Sequence, residues 1–583
     1  MTQPISTLLL RLWKHISIHR RGQLGGLLLL MIFTSIAEVF SISSVLPFLA
    51  VLTAPEKIFS YPSAQHILRF FDINQSSQLI LPITVSFGLA AILAGSMRLT
   101  LLWAQTRLSF AIGADLGISI YRRTLYQPYE IHVTRNSSIV IGIISTKINL
   151  IIFQIVLPIL TLLGAMFILM GMLGIIFVID PLIAVSTISG FGLIYVGIIK
   201  LTKNKLLLNG QRIAEVSTQV IKTLQEGLGG IRDVLIDGSQ ETYCKLYRDA
   251  DVVLRRADGN NVFLAQSPRY AVETLGMLVI AGVTFLLSRQ VGGLSAALPA
   301  LGALALAAQR MLPILQQCYG AWSNIRGGQP SLEDALILLD QPLPDYAGRP
   351  PPSPLPYADK ISLSGLSFRY STATPWILKD VCLTISKGAR LGVIGTTGSG
   401  KSTLLDIVMG LLHPSDGSLK VDGIAITADN RRHWQAHIAH VPQAIFLTDA
   451  TLQENIALGV LKDDIDFQRV VKSAEQAQLS QYISSLPEGL NTLVGERGVQ
   501  LSGGQRQRIG IARALYKQAD VIIFDEATSA LDNETELAVM SAIDNLNKEL
   551  TILIIAHRLT TLRNCTDIIE VSNGQVQRIE SRL

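Results

Sequence analysis

Six apolar stretches dominate the first half of the chain, at about 24–52, 79–112, 140–178, 181–200, 262–288 and 294–325. A helix rises ~1.5 Å per residue, so ~20 apolar residues cross a ~30 Å hydrocarbon core, and the pattern predicts six membrane spans. The third stretch holds about thirty uncharged residues between Lys147 and Asp180. Ile179-Asp180-Pro181 then predicts a tight break, because a proline pushes the residue before it out of the helical region.

The intervals between stretches alternate in character. Those at 113–139 and 201–261 are long, keep a helical period and carry Arg122, Arg123, Arg135, Lys200, Lys203, Lys205 and Arg212; the opposite side holds only Lys57, Arg69 and Arg289. The positive-inside bias therefore puts the long intervals and the N-terminus in the cytoplasm. Arg11, Lys14, Arg20 and Arg21 precede the first stretch, whose length exceeds that of a cleaved signal peptide. Further on, GRPPPSPLPYADK (348–360) has too many prolines for a helix and too little apolar content for a core. After it the pattern changes to short apolar runs separated by glycine-rich turns. The expected organisation is a helical membrane domain at 1–326, a linker at 327–356 and an α/β domain at 357–583.

Composition agrees: of 583 residues, 49% are hydrophobic and only 16% charged, oilier than average soluble usage. The net charge of +5 does not indicate nucleic acid, since no basic run is interleaved with aromatics. Cys244, Cys318, Cys382 and Cys565 are scattered without a C-x-x-C pair, so neither a disulfide framework nor a zinc site is expected.

The candidate chemistry lies in the last third. GTTGSGKST, comprising Gly395, Thr396, Thr397, Gly398, Ser399, Gly400, Lys401, Ser402 and Thr403, follows the apolar run 391–394 and opens a helical pattern at 404–412. That is the context of a P-loop: the glycines let backbone N–H groups face phosphate oxygens, and the helix presents its positive end. Lys401 is expected at the outer phosphates of ATP, with Ser402 on Mg²⁺. VIIFDE (521–526) reads as a buried parallel strand delivering two carboxylates to its C-terminal edge, where ligands bind in such sheets. Asp525 would hold Mg²⁺ through water and Glu526 would polarise the attacking water. LSGGQ (501–505) places Ser502, Gly503, Gly504 and Gln505 before a helical run, a second anion-binding nest.

P-loop, LSGGQ, the DE pair, SALD and a later IIAHR together resemble the nucleotide-binding domain of ABC transporters. The resemblance implies a type IV exporter fold: a six-span α-helical membrane domain fused to an α/β P-loop nucleotide-binding domain. It implies that the LSGGQ nest caps ATP held by the P-loop of a second copy, so the working unit is a C2 homodimer. By motif position it also assigns Tyr370 to stacking on adenine, Gln443 to sensing Mg²⁺ and the γ-phosphate, Asp532 to the dimer seam and His557 to the γ-phosphate. In exporters of this family the long inner loops continue the membrane helices and bend at short coupling helices, expected here near Tyr129–Arg135 and Gly230–Asp237.

For the cargo, ionisable groups inside spans are costly and therefore informative. Arg98, Arg269 and Arg310 lie roughly 24–29 Å from the outer ends of their spans, at one level. Doubled by symmetry they make a ring suited to a pyrophosphate or another anionic head group. The competing reading pairs Arg269 with Glu273 along one helix and lets Arg98 and Arg310 snorkel or bond backbone carbonyls. FSISSVLPFLAVL (40–52), SPRYAVETLG (267–276) and AAQRMLP (307–313) resemble the corresponding stretches of PglK-type flippases. That resemblance implies an ATP-driven flippase of a lipid-linked glycan in the bacterial inner membrane, with its nucleotide-binding domain in the cytoplasm. It also implies a short external helix within Pro55–Phe71. GERG (495–498) departs from that flippase pattern and keeps exporters of peptides, drugs or other lipids as the alternative, with an ATP-gated channel a more distant one.

Overall fold

The computed structural model describes residues 3–44, 48, 80–179, 181–288, 293–495, 498–526, 536, 540, 541, 543, 544, 547, 549–556 and 562–579. Chain contacts divide it into two units, Met1–Gln127 with Arg135–Asp345, and Pro128–Thr134 with Tyr346–Leu583.

The first unit is helical. A short amphipathic helix α1 (Ile5–His15) precedes α2 (Ile18–Ser43) and α3 (Ile80–Leu125). Next comes a rod of α4 (Ser137–Gly142), a π turn (Ile143–Lys147), α5 (Ile148–Ile151), a second π turn (Ile152–Val156) and α6 (Leu157–Ile179). It is followed by α7 (Pro181–Gly229), α8 (Ile231–Ile236), α9 (Gln240–Ser288) and α10 (Gly293–Leu339). The break expected at Ile179-Asp180-Pro181 turns on Asp180, which lies outside the described residues. Among the described residues three helices are long and apolar enough to cross a membrane, within Ile18–Ser41, Ile80–Leu125 and Ser137–Gly174. Their apolar side chains are largely outward: Leu89, Ile92, Leu99 and Leu102 on α3 are all exposed, as a lipid-facing surface requires. The external helix expected within Pro55–Phe71 lies outside the described residues.

One expectation needs correcting. Residues 327–339, assigned above to the linker, continue α10. Leu332, Ala335, Leu336 and Leu339 recur at i, i+3, i+4 and i+7 and are fully buried with Leu8 and Leu12 of α1. That spacing is the helical period, and it outweighs Pro330 near the last turns. Two anchors hold the same end: Asp340 accepts from Arg11 and bonds His15, and the buried Lys147 ammonium donates to Asp334.

Pro268 lies inside α9. A proline has no N–H to donate, so the carbonyl four residues back, that of Leu264, loses its helical partner. Tyr319 of α10 fills the gap: its hydroxyl donates to Leu264 O at 3.0 Å and lies 3.2 Å from Thr202 Oγ1 of α7. A freed carbonyl inside a membrane helix must be satisfied by a neighbour, so this one contact ties three helices together beside Arg269. Close backbone approach supplies a second tie: a Cβ on Gly210 would come within 2.2 Å of Gly327 O.

The second unit is a two-sheet α/β domain. Its antiparallel sheet runs β2 (Leu378–Ser386), β1 (Lys360–Phe368), β4 (Asp416–Val421), β5 (Ile424–Ala425). The larger sheet runs β10 (Gln575–Ile579), β9 (Asp567–Ser572), β3 (Arg390–Ile394), β8 (Thr551–Ile555), β7 (Val521–Asp525), β6 (Ile438–Val441). From β9 to β6 the neighbours are parallel. Apolar clusters cover both of its faces, which is why β7 and β8 read as continuous apolar runs rather than alternating ones.

Replacing Tyr319 by Phe leaves the Leu264 carbonyl unpaired in an apolar setting. The cost should be about 1–3 kcal/mol, seen as a lower thermal unfolding midpoint of the detergent-solubilised chain, and a Tyr319→Phe, Pro268→Ala double variant should recover most of it.

Candidate nucleotide site

The P-loop sits where the sequence places it, between β3 and α11 (Lys401–Val408). Gly395, Gly398 and Gly400 have φ of 149°, 81° and 105°, a region L side chains avoid. Space is as restrictive as torsion at Gly395, where a Cβ would approach Val571 O to 2.3 Å. The buried Lys401 ammonium donates to Gly395 O at 2.8 Å and Thr396 O at 3.0 Å, so the loop is wrapped on its own lysine. Ser399 N donates to Thr396 O at 3.1 Å, while its buried hydroxyl has no hydrogen-bond partner among the described residues. Thr397 and Ser402 are exposed and Thr403 is buried. A buried hydroxyl without a partner, beside a buried ammonium, fits a phosphate chain.

β8 separates β3 from β7, and all three strands run the same way. The P-loop and the Asp525–Glu526 pair therefore leave the same edge of one sheet. Burial and the neighbouring Glu526 push the Asp525 carboxyl up, with Lys401 opposing them. Asp406 of α11 is pushed up to about 6 by burial and by Asp525. The region is thus crowded with carboxylate, and an added cation would relieve it. Among the described residues no group of three or more His, Cys, Asp and Glu could cage an ion. Asp525 and Ser402 could hold Mg²⁺ only together with phosphate oxygens and water, the usual manner for that ion.

Glu526 itself has φ of 49°, strained for a residue with a side chain. Its Oε2 accepts from Gln443 Nε2 at 2.8 Å, which brings together two residues singled out separately in the sequence. Gln507 extends the set by donating to Gln443 O at 3.0 Å. Neither contact was readable from spacing, since the residues lie on different strands and loops.

The LSGGQ stretch starts α12 (Gly503–Tyr516). Ser502 is its N-cap: Ser502 Oγ accepts from Gln505 N at 3.2 Å, and Gln505 Oε1 accepts from Ser502 N at 2.8 Å. This is a reciprocal capping box, so the signature serine and glutamine hold each other with the helix end beside them. Tyr370 is exposed beyond β1, edge-on to Phe368 at 5.1 Å. Asp532 and His557 lie outside the described residues.

Short helices occur at both positions where coupling helices are expected. α8 covers Ile231–Ile236, and a six-residue helix covers Tyr129–Thr134. The latter belongs to the nucleotide-binding unit: His413 N donates to Glu130 Oε1 at 3.5 Å, and burial together with the Asp406 charge raises the Tyr129 phenol.

The arginines expected at a cargo chamber are less free than their positions imply. Arg98 Nε lies 3.0 Å from Glu38 Oε2, and Glu38 is nearly buried on α2. Arg269 Nε donates to Glu273 at 2.9 Å, the intrahelical pair. Arg310 lies on α10, and its side chain is outside the described residues.

Fold and site define a unit of membrane-length helices and a P-loop nucleotide-binding unit in one chain. Residues 378–529 match the ABC transporter family. The "ATP-dependent lipid A-core flippase" of Idiomarina loihiensis is 30% identical over 71% of this chain and 69% of its own. A protein of the same description from Chromobacterium violaceum is 38% identical, over 43% of this chain. The chain spans under half the length of the first relatives it matches, 42% for the Chromobacterium protein and 36% for that of Saccharophagus degradans. In architecture it is similar to a bacterial Atm1-family ABC exporter, with a TM-score of 0.76 over 95% of this chain and 94% of that one, at 22% identity. The chain belongs to the ABC transporter family, among its exporter-type half-transporters.

Gly395→Ala should lower affinity for a fluorescent ATP analogue at least ~10-fold, because both torsion and space forbid the methyl group. Gly423→Ala, equally left-handed but with nothing within 4 Å of the added carbon, should bind as the parent does.

Proposed function

We propose that two copies of this chain form an ATP-driven flippase that carries a lipid-linked glycan, joined through phosphate or pyrophosphate, from the inner to the outer leaflet of a bacterial inner membrane. The observation that carries the ATPase part is the Gln443–Glu526 contact at the end of β7. It holds a carboxylate at the sheet edge where the P-loop also opens, the place for a group that orients water against a γ-phosphate. Lys401 would exchange its two loop carbonyls for phosphate oxygens. Mg²⁺, held by Ser402, Asp525 and the nucleotide, would neutralise phosphate charge. Tyr370, with its exposed ring, is the candidate for adenine. Asp532 and His557 keep their roles at the dimer seam and the γ-phosphate as proposals from motif position.

A second copy is proposed because the LSGGQ nest and the P-loop of one domain serve different composite sites in the family. In keeping with this, Leu235 and Ile236 at the tip of the α8 coupling helix are exposed in the single chain. The nucleotide-binding domains would lie in the cytoplasm, on the side of the basic loops.

For the cargo, a phosphorylated glycolipid is favoured by the flippase relatives and by the PglK-like stretches at 40–52, 267–276 and 307–313. Carboxylate pairing does not disqualify Arg98 and Arg269. A guanidinium has five donors and one carboxylate takes at most two, so a phosphate can join the pair rather than break it. Glu38 and Glu273 would keep the arginines positioned between cycles and avoid unpaired charge in the membrane.

Glu526→Gln should lower ATP turnover by a factor of ~10² or more while retaining ATP and accumulating a dimer that resists dissociation. Wild-type phosphate release from that variant would remove Glu526 from its role. Changing Arg98, Arg269 and Arg310 together to Gln should abolish flipping of a polyprenyl-pyrophosphate glycan in proteoliposomes and leave detergent ATPase activity within about twofold. Retained flipping would discard the arginine chamber.

A further inference from the structure

A groove of about 680 Å³ lies between the inner ends of α2 and α3. Its floor is opened by the small residues Gly26, Ala104 and Ala111, and Leu27, Leu30 and Leu108 form apolar walls. Three of its lining side chains are polar: Arg20, Gln23 and Arg107. The apolar stretches of these two helices end near residues 24 and 112, so the groove reaches the cytoplasmic boundary of the hydrocarbon layer; Arg20 lies beyond it, and Arg107, about 7 Å inside it, can extend its long side chain to the head groups.

The groove is separate from the proposed cargo chamber. Arg107 follows Arg98 by nine residues, about half a turn out of phase at ~100° per residue, so the two point to opposite sides of α3. Charge at the groove is also uneven. Arg20 Nε donates to Asp115 Oδ2 at 2.9 Å, and Arg20 Nη1 to Gln23 Oε1 at 3.0 Å. Arg107 is exposed and has no hydrogen-bond or ion-pair partner among the described residues. Two arginines against one aspartate leave one uncompensated positive charge. One turn away on α3, Trp103 is 66% exposed and also lines the groove.

We propose that this groove binds an anionic phospholipid of the cytoplasmic leaflet, its phosphate on Arg107 and its acyl chain along Leu27, Leu30 and Leu108. The choice of a lipid over free phosphate follows from the lining: a phosphate would meet only the Arg107 guanidinium and leave the apolar residues of the groove uncovered. An anionic head group is chosen because a zwitterionic one would bring its own cation to a site already positive. The proposal rests on the membrane topology but not on the identity of the cargo.

Tryptophan quenching in reconstituted full-length protein tests this. The probes are phosphatidylglycerol and phosphatidylcholine carrying the same dibrominated acyl chain, each at low mole fraction in unbrominated phosphatidylcholine. The Trp103 signal is the difference between the parent chain and Trp103→Phe. Brominated phosphatidylglycerol should reach half-maximal quenching of Trp103 at about one-fifth the mole fraction needed for phosphatidylcholine, the preference expected of one arginine at the surface. Arg107→Gln should erase that preference while keeping parental ATPase activity, which reports that the chain is folded. Equal quenching by both lipids, or an unchanged preference in Arg107→Gln, overturns the proposal. So does full competition by millimolar inorganic phosphate, which would make the site one for the free anion.

Discussion

The lysine of the P-loop is the contact on which the nucleotide-binding half depends. A buried ammonium is costly unless its donors are met, and here the loop meets them itself: Lys401 holds the carbonyls of Gly395 and Thr396. That closure requires the loop to turn through left-handed torsions at Gly395, Gly398 and Gly400, which in turn leaves the Ser399 hydroxyl buried without a partner among the described residues. The loop therefore keeps its phosphate-sized shape using its own atoms. A ligand with several anionic oxygens competes for groups already gathered, so binding need not first collect them from a disordered segment.

How far these features were legible differs by scale. P-loop, acidic strand and signature were readable because each is local: glycine torsion, strand burial and helix capping act over fewer than a dozen residues. The six apolar stretches were readable because lipid imposes one length and one polarity. What escaped was contact between distant segments. The Arg98–Glu38 pair joins positions sixty residues apart, and no period connects them. Gln443 and Glu526 were each suspected, but their bond depends on β6 and β7 being neighbours. The helical unit runs past the boundary expected at 326 for another reason: the prolines that mark the linker lie only at 350–356, whereas the i, i+3, i+4, i+7 leucine and alanine pattern at 332–339 continues α10.

Three charges of the helical unit are met by carboxylates. Lys147 meets Asp334, Arg98 meets Glu38 and Arg269 meets Glu273. Each pair spares an apolar surrounding from a bare charge, yet each also leaves polar atoms where a moving anion could find them. The two kinds of pair differ mechanically. Lys147–Asp334 and Arg98–Glu38 join separate helices, so they resist sliding. Arg269–Glu273 lies within one helix and travels with it.

That difference bears on how movement reaches the membrane. α9 carries Arg269, Glu273 and Pro268 within six residues, and its missing hydrogen bond is replaced by Tyr319 of α10. A helix whose ladder is interrupted can bend there at little further cost, while the tyrosine fixes which neighbour it bends with. The ion pair, being internal to α9, survives such a bend intact. An arginine placed one residue after the break would change direction by the full bend angle without losing its carboxylate. Pro268 and Tyr319 thus set where α9 can bend, and the internal ion pair keeps the Arg269 charge compensated through that bend.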